Sequence, residues 1–152
     1  MAGIHHAARD PPAGYLPQQS PAFFLWAGKY AVATRQDYSL AVAPGTFPGA
    51  TTVAAKPGDV LILWATGLGP TNPPVPAGIQ APGDQLHSTG PVEVTIGSVQ
   101  AQVYGSALSP GFAGLYQVAI QVPGNLADGD YPIKATIGGA SSPGNVYLTV
   151  KQ

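Results

Sequence analysis

The feature that most constrains the fold is a two-residue periodicity of apolar side chains between residues 91 and 123. This stretch reads PVEVTIGSVQAQVYGSALSPGFAGLYQVAIQVP, and it contains three alternating runs separated by Gly and Pro. Alternation of this kind is typical of antiparallel strands that bury one face and expose the other. The alternation predicts three strands, in which the first inward-facing residues are Val92, Val99 and Tyr116.

The flanking sequence extends the pattern. Residues 58–69 (GDVLILWATGLG) are apolar at both phases, which predicts a strand covered on both faces, with the aromatic segment 21–42 as one cover. Residues 130–137 and 145–151 alternate again. No run predicts a helix, because the 20 glycines and 17 prolines interrupt every candidate. We therefore predict an all-β fold, an immunoglobulin-like antiparallel β-sandwich with an N-terminal β-meander and aromatic extension.

The composition suggests one domain with a short tail. Residues 1–20 are polar and broken by proline, so we expect an irregular or disordered N-terminal tail. Residues 21–152 are expected to form a single β-sandwich domain, in which residues 21–57 supply a hairpin and a loop that pack on it. The first residues lack the apolar core of a signal peptide. We expect that a signal was removed or that the chain is a fragment of a longer protein.

Charge and cysteine content exclude several classes of function. Charged residues make up 9% of the chain and the formal net charge is −1, which gives no field for nucleic acid or an anionic membrane. No apolar run is long enough to span a bilayer. Cysteine is absent, so disulfides and thiolate metal sites cannot form. We expect no nucleic-acid partner, no membrane span and no cofactor.

The sequence assigns no catalytic residue. A long loop over residues 70–90 carries Asp84, His87 and Ser88, but no nucleophile-elbow motif is present. Carboxylates suited to paired acid and base roles are also lacking, since Glu93 is the only glutamate and the aspartates fall in turns. We assign no metal site. The residues that come nearest to a set of metal ligands are His87, Asp84, His5 and His6.

Aromatic side chains are the remaining candidates for binding. Tyr104 and Tyr147 lie on the outward phase of their strands, and Trp26, Tyr30 and Tyr38 can cluster in the N-terminal meander. Such side chains could form a platform for the apolar face of a sugar. The alternative is that aromatic residues of the meander cover one end of the sandwich, since aromatic side chains are usually buried in large part.

Several segments resemble a known family. They are KPGDVLILWATGLGPTNPPVPAG (56–78), VTIGSVQAQV (94–103), PGFAGLYQVAIQVP (110–123) and GDYPIKATIGG (129–139), with GKYAVATRQDYSL (28–40) as a lead-in. Together they resemble the uncharacterised C-terminal domain family expanded in Solibacter-type acidobacteria, over roughly residues 21–151. More broadly, the layout resembles the immunoglobulin-like (IPT/TIG) domains of plexins and transcription factors. The resemblance implies a module at the C-terminus of a large secreted or surface protein, without an assigned activity.

These observations favour a non-enzymatic β-sandwich accessory module, with a structural, adhesion or anchoring role in a secreted or cell-surface bacterial protein. One alternative is a carbohydrate-binding module. Another is a small metal-dependent enzyme that uses His87 and neighbouring groups. The expected partner is a polysaccharide or another protein domain. The expected assembly is a monomer or weak dimer, because Lys151 guards the last strand against edge pairing.

Overall fold

The computed structural model describes residues 19–152, which form eleven strands and no helix. The strands are β1 (Ala22–Phe23), β2 (Leu25–Trp26), β3 (Tyr30–Ala31), β4 (Ala33–Thr34), β5 (Val60–Thr66), β6 (Glu93–Ile96), β7 (Val99–Leu108), β8 (Tyr116–Gln121), β9 (Gly129–Ile137), β10 (Ala140–Ser141) and β11 (Tyr147–Val150). The all-β prediction is confirmed. From residue 19 onward, no helix has the length and apolarity needed to cross a bilayer.

The strands form one continuous mixed sheet. Their order is β1-β5-β8-β7-β6-β9-β11-β3-β2, with β4 also on β5 and β10 on β9. The pairing of β11 with β3 is parallel, and the other strand pairings are antiparallel. An immunoglobulin-like sandwich, which would need two separate sheets, is not confirmed, because the sheet curls into a nearly barrel-like form.

Two long strands cause this curling. The first part of β7 pairs with β6, and from Gln102 onward the same strand pairs with β8. Strand β9 similarly pairs with β11 and then with β6. A register shift between Val103 and Gly105 marks a bulge in β7. A bulge bends and twists its strand, so the sheet turns around the core instead of splitting into two layers.

The two sides of the sheet approach each other along a seam of isolated bridges. The bridges are Thr34 to Leu40, Ala41 to Val53, and Ala55 to Val150. They lead from β4, which lies on β5, across the loop 43–57 to β11. Closing a sheet in this way satisfies backbone groups that an open edge would expose. We refer to this set of bridges as the seam.

The inward residues follow the predicted alternation. On β5, Leu61, Leu63 and Ala65 are buried in the core. The remaining core side chains of the long strands are Val94, Ile96, Ala101, Leu108, Tyr116, Val118, Ile120, Ile133, Ala135, Ile137, Leu148 and Val150. Strands β1 and β4 contact β5 along its edge through backbone pairing. The second face of β5, with Val60, Ile62 and Trp64, is half-buried and not fully covered as predicted, because β1 and β4 lie beside β5 in the sheet. Trp64 on that face donates its Nε1–H to Thr34 Oγ1 at 3.0 Å.

One buried hydroxyl ties the long loop after β5 to the core. Tyr116 on β8 is 2% exposed and donates its hydroxyl to the Gly69 carbonyl at 2.6 Å. Burial raises the pKa of Tyr116 to about 12, because the phenolate would lose its hydration. A bridge between Asn72 and Ser88 then holds the two arms of the loop together.

Candidate functional site

The strand register brings three aromatic residues into one line. Trp26 on β2 is paired with Tyr30 on β3, and Tyr30 is paired with Tyr147 on β11. Tyr147 is paired in turn with the exposed Pro132 on β9. Residues in direct register project from the same face of a sheet. We call these four residues, Trp26, Tyr30, Tyr147 and Pro132, the aromatic row.

A tight turn positions the first two members of the row. Ala27, Gly28 and Lys29 link β2 to β3. The first two have φ values of 53° and 68°, and Lys29 N–H donates to the Trp26 carbonyl at 3.1 Å. Two successive residues with positive φ give a turn whose twist matches that of paired strands, and glycine adopts this conformation without strain. The turn therefore places Trp26 and Tyr30 on neighbouring strands in direct register.

A lysine lies beside the two tyrosine rings. The Lys29 Nζ is 5.1 Å from the centroid of the Tyr30 ring and 5.3 Å from that of Tyr147. It also lies 3.5 Å from Asp130 Oδ2. The Tyr30 side chain and, less strongly, the Asp130 carboxylate raise the pKa of Lys29 above its ordinary value. The ammonium is thus held by π-faces and a carboxylate, an arrangement that favours its charged form.

The carboxylate of Asp130 is the polar centre of this surface. Besides Lys29, it accepts hydrogen bonds from the Tyr30 hydroxyl at 3.4 Å and from the Thr149 hydroxyl at 2.5 Å. The side chains of Lys29 and Asp130 remain 48% and 37% exposed. Each of the two side chains can therefore replace its present partner with a group on a ligand, at little cost in desolvation.

The outer end of the row is packed against the loop 43–57. The Trp26 ring meets the Phe47 ring edge-on, with centroids 5.8 Å apart and planes at 88°. Edge-to-face contact is a favourable arrangement of aromatic pairs. Both side chains are half-buried, so Phe47 orients Trp26 while part of its surface stays accessible. The sequence did not single out Phe47, because its position in a Pro/Gly loop gave no strand register.

The other two aromatic candidates lie away from the row. Tyr104 is 53% exposed at the β7 bulge, and its hydroxyl donates to Gln121 Oε1 at 2.9 Å. Tyr38 is 80% exposed in a turn, with a φ of 66°. Of the five predicted platform residues, the structure therefore brings together Trp26, Tyr30 and Tyr147.

His87 is a buried residue of the long loop. It is 5% exposed, and its Nδ1 lies 2.7 Å from the Pro73 carbonyl. A carbonyl oxygen can only accept, so Nδ1 is the donor in this contact. Asp84 lies in an exposed part of the same loop, whereas His5 and His6 are outside the described residues. Between residues 19 and 152, no group of three or more His, Cys, Asp or Glu side chains could hold a metal ion.

Two buried polar atoms lack a partner within the described chain. They are His87 Nε2 and Ser106 Oγ. The Leu108 N–H donates to the His87 carbonyl and the Thr89 N–H to the Ser106 carbonyl, both at 3.0 Å. This pairing places His87 and Ser106 near one another on the same local ladder. Neither atom reaches an acidic partner, so no Ser-His-Asp arrangement forms among these residues.

Arg35 was not predicted as a special residue, yet it organises the seam. The guanidinium has five N–H donors, and each of its three nitrogens has an acceptor. The acceptors are Asp59 Oδ2 (3.3 Å), Ser39 Oγ (3.5 Å), and the carbonyls of Leu40 (3.1 Å), Val53 (2.9 Å) and Ala54 (2.8 Å). A groove of about 290 Å³ lies beside Arg35. Arg35 and Asp59, which both line the groove, are already paired with one another.

Comparison with known protein families, with curated proteins and with solved structures finds no match for this chain.

Proposed function

We propose that this chain is a non-enzymatic accessory module that serves an adhesion or anchoring role in a secreted or cell-surface bacterial protein. The observation that carries the proposal is the aromatic row, in which Trp26, Tyr30 and Tyr147 line one face of a closed sheet. Aromatic side chains on rigid strands provide contact area at low entropic cost. A surface of this kind suits recognition of another molecule more than chemical transformation of one.

The polar side chains of the described residues support the same proposal. His87 is buried on a backbone carbonyl, and the Arg35 guanidinium is bound by the backbone of the seam. Catalytic acids and bases need access to a reacting group at hydrogen-bonding distance. His87 instead stabilises the loop 70–90, and Arg35 stabilises the seam.

An immunoglobulin-like affiliation of the plexin and transcription-factor type is part of the proposal. It is supported by the all-β content and by the antiparallel hairpin of β6 and β7 around Gly97. The proposed resemblance of residues 21–151 to the Solibacter-type C-terminal domain family implies a module at the C-terminus of a large exported protein. An adhesive role is consistent with that context.

The test joins the full chain to a fluorescent carrier and measures retention on intact bacterial cells and isolated envelopes. We expect retention above that of the carrier alone, and no turnover of ester, peptide or glycoside substrates. Retention equal to the carrier would overturn the adhesion role. Turnover that disappears in His87→Phe would overturn the non-enzymatic role, since this change removes the imidazole while keeping a ring in the same place.

A further inference from the structure

We propose that the aromatic row binds an uncharged polysaccharide, with the Lys29–Asp130 pair contacting its hydroxyl groups. This inference rests on the proposed adhesive function and names the ligand class of the same surface. The shape of the row, its charge and the hydrogen-bonding capacity of the Lys29–Asp130 pair support this inference.

The shape of the row suits an extended chain. Its four members lie on the neighbouring strands β2, β3, β11 and β9. Three strand spacings give a row about 14 Å long. Rings at this regular interval can contact successive sugar units of a polymer, because the apolar C–H face of a sugar packs on a ring. A compact small molecule would use one or two of the rings and leave the others without a role.

The charge of the row favours a neutral ligand. The Lys29 ammonium already occupies the space beside the rings of Tyr30 and Tyr147, so a cationic group would meet a like charge. An acidic ligand would meet the Asp130 carboxylate, which lies 3.5 Å from that ammonium. The two charges cancel locally, and the chain as a whole carries a formal charge of −1. A neutral polymer avoids both repulsions.

The open hydrogen-bonding capacity of the pair matches hydroxyl groups. An ammonium has three donors, and within the described residues Lys29 Nζ has Asp130 as its ion-pair partner. The Lys29 side chain is 48% exposed, so its ammonium is accessible to a ligand beside the tyrosine rings. A hydroxyl both donates and accepts, so a sugar can bind Lys29 without displacing it from Asp130. The ammonium would then become a contact for the ligand.

The experiment compares retention of the full chain on neutral and acidic polysaccharides. The neutral probes are insoluble cellulose, insoluble chitin and soluble mixed-linkage β-glucan, and the acidic probes are polygalacturonate and alginate. The variants are Trp26→Ala and Tyr147→Ala. Tyr38→Ala and Tyr104→Ala are the matched controls, because both tyrosines are exposed and lie off the row. Circular dichroism melts confirm that each variant is folded.

We expect binding to at least one neutral probe, unchanged between low and high salt. Each row variant should bind about tenfold more weakly, the effect of losing roughly one aromatic contact, while the two controls bind as the wild type. Absence of binding to every neutral probe would overturn the inference. So would binding only to the acidic probes, or binding that the row variants leave intact. In each of these cases retention on bacterial envelopes still tests the adhesive function separately.

A second measurement does not depend on the stability of the row variants. The chain has two tryptophans, and Trp64→Phe leaves Trp26 as the single reporter. The ligand is a soluble form of whichever neutral probe retains the chain: β-glucan itself, or an oligosaccharide of cellulose or chitin. We expect this ligand to shift the emission of Trp26 in the variant, and an unchanged emission would overturn stacking on the row. Sedimentation of the free protein checks for a second copy on this face, and a dimer that the same ligand does not dissociate would also overturn the inference.

Discussion

Arg35 and Lys29 lie close to the junction of the chain's early and late strands, but their surroundings differ. The Arg35 guanidinium meets a carboxylate, a hydroxyl and three backbone carbonyls, and its side chain is 20% exposed. The Lys29 ammonium meets one carboxylate and two ring faces, and its side chain is 48% exposed. All three nitrogens of the Arg35 guanidinium have partners within the fold, whereas the Lys29 ammonium stays accessible to solvent.

This difference distinguishes polar side chains that stabilise the fold from polar side chains that a ligand can reach. A polar group whose partners are all internal contributes to stability and cannot change partners without cost. A half-exposed ion pair contributes little to stability and can accept a new partner readily. The same contrast applies to the tyrosines, since Tyr116 is buried on a carbonyl while Tyr147 lies in the aromatic row.

The largest effect is expected from Arg35→Met. The change removes the donors to three carbonyls of the seam and leaves Asp59 without its cation. We expect the free energy of unfolding to fall by about 3 kcal/mol, measured by urea denaturation. Lys29→Met is the matched control, and its denaturation midpoint should not move. Equal losses in the two variants would abolish the distinction between the two cations.

Tyr116 should make stability fall at high pH. Its pKa is raised from 10.0 to about 12 in the folded protein, so its contribution is complete below pH 10 and is lost as the pH rises toward 12. The loss amounts to about 3 kcal/mol. Urea denaturation from pH 8 to 12 measures it. Tyr116→Phe should lack this decline, while Tyr147→Phe, which retains Tyr116, should keep it.

A smaller effect is expected from His87→Phe, because only one of the two imidazole nitrogens has a hydrogen-bond partner. The Pro73 carbonyl would keep the Thr71 hydroxyl at 2.8 Å, and the unpartnered Nε2 would be removed. The lost hydrogen bond and the relieved desolvation offset one another, so the free energy of unfolding should change by less than about 1 kcal/mol. A loss of more than about 2 kcal/mol in urea denaturation would show that Nε2 has a partner, such as a water shared with Ser106.

The smallest effect is expected from Tyr38→Asn. Tyr38 has a φ of 66° and is 80% exposed, so its side chain contributes little while its backbone is strained. Asparagine tolerates this conformation better than a bulky residue does, and we expect a gain of about 0.5 kcal/mol. The thermal midpoint should rise slightly, with retention on polysaccharide unchanged. A fall in the midpoint would mean that the tyrosine ring makes a stabilising contact.

The sequence predicts most of the long strands. Alternation correctly indicates strands in the regions of β5, β6, β8, β9 and β11, and the inward set Val146, Leu148 and Val150 is buried. It predicts only the first part of β7, since Gly105 and small residues break the apolar pattern after the bulge. Periodicity identifies strands by burial of one face, so a bulge that changes the phase hides their continuation.

Strand order, and with it the site, could not be predicted. Tyr30 and Tyr147 become neighbours through the parallel pairing of β11 with β3, which no local signal encodes. Tyr104 and Tyr147 share the outward phase of their strands, but β7 and β11 are not adjacent in the sheet. Phase indicates the face on which a side chain lies, whereas the neighbours of that side chain depend on tertiary pairing. The role of Arg35 is hidden for the same reason.

The parallel pairing of β11 with β3 also determines when the aromatic row can exist. Tyr30 lies near the beginning of the described chain and Tyr147 near its end, and Ala55 pairs with Val150 in the same region. Contacts between such distant segments form late and slow folding. During synthesis, a nascent chain whose residue 147 is still within the ribosome cannot display the row. The aromatic row is therefore complete only after β11 has left the ribosome and paired with β3.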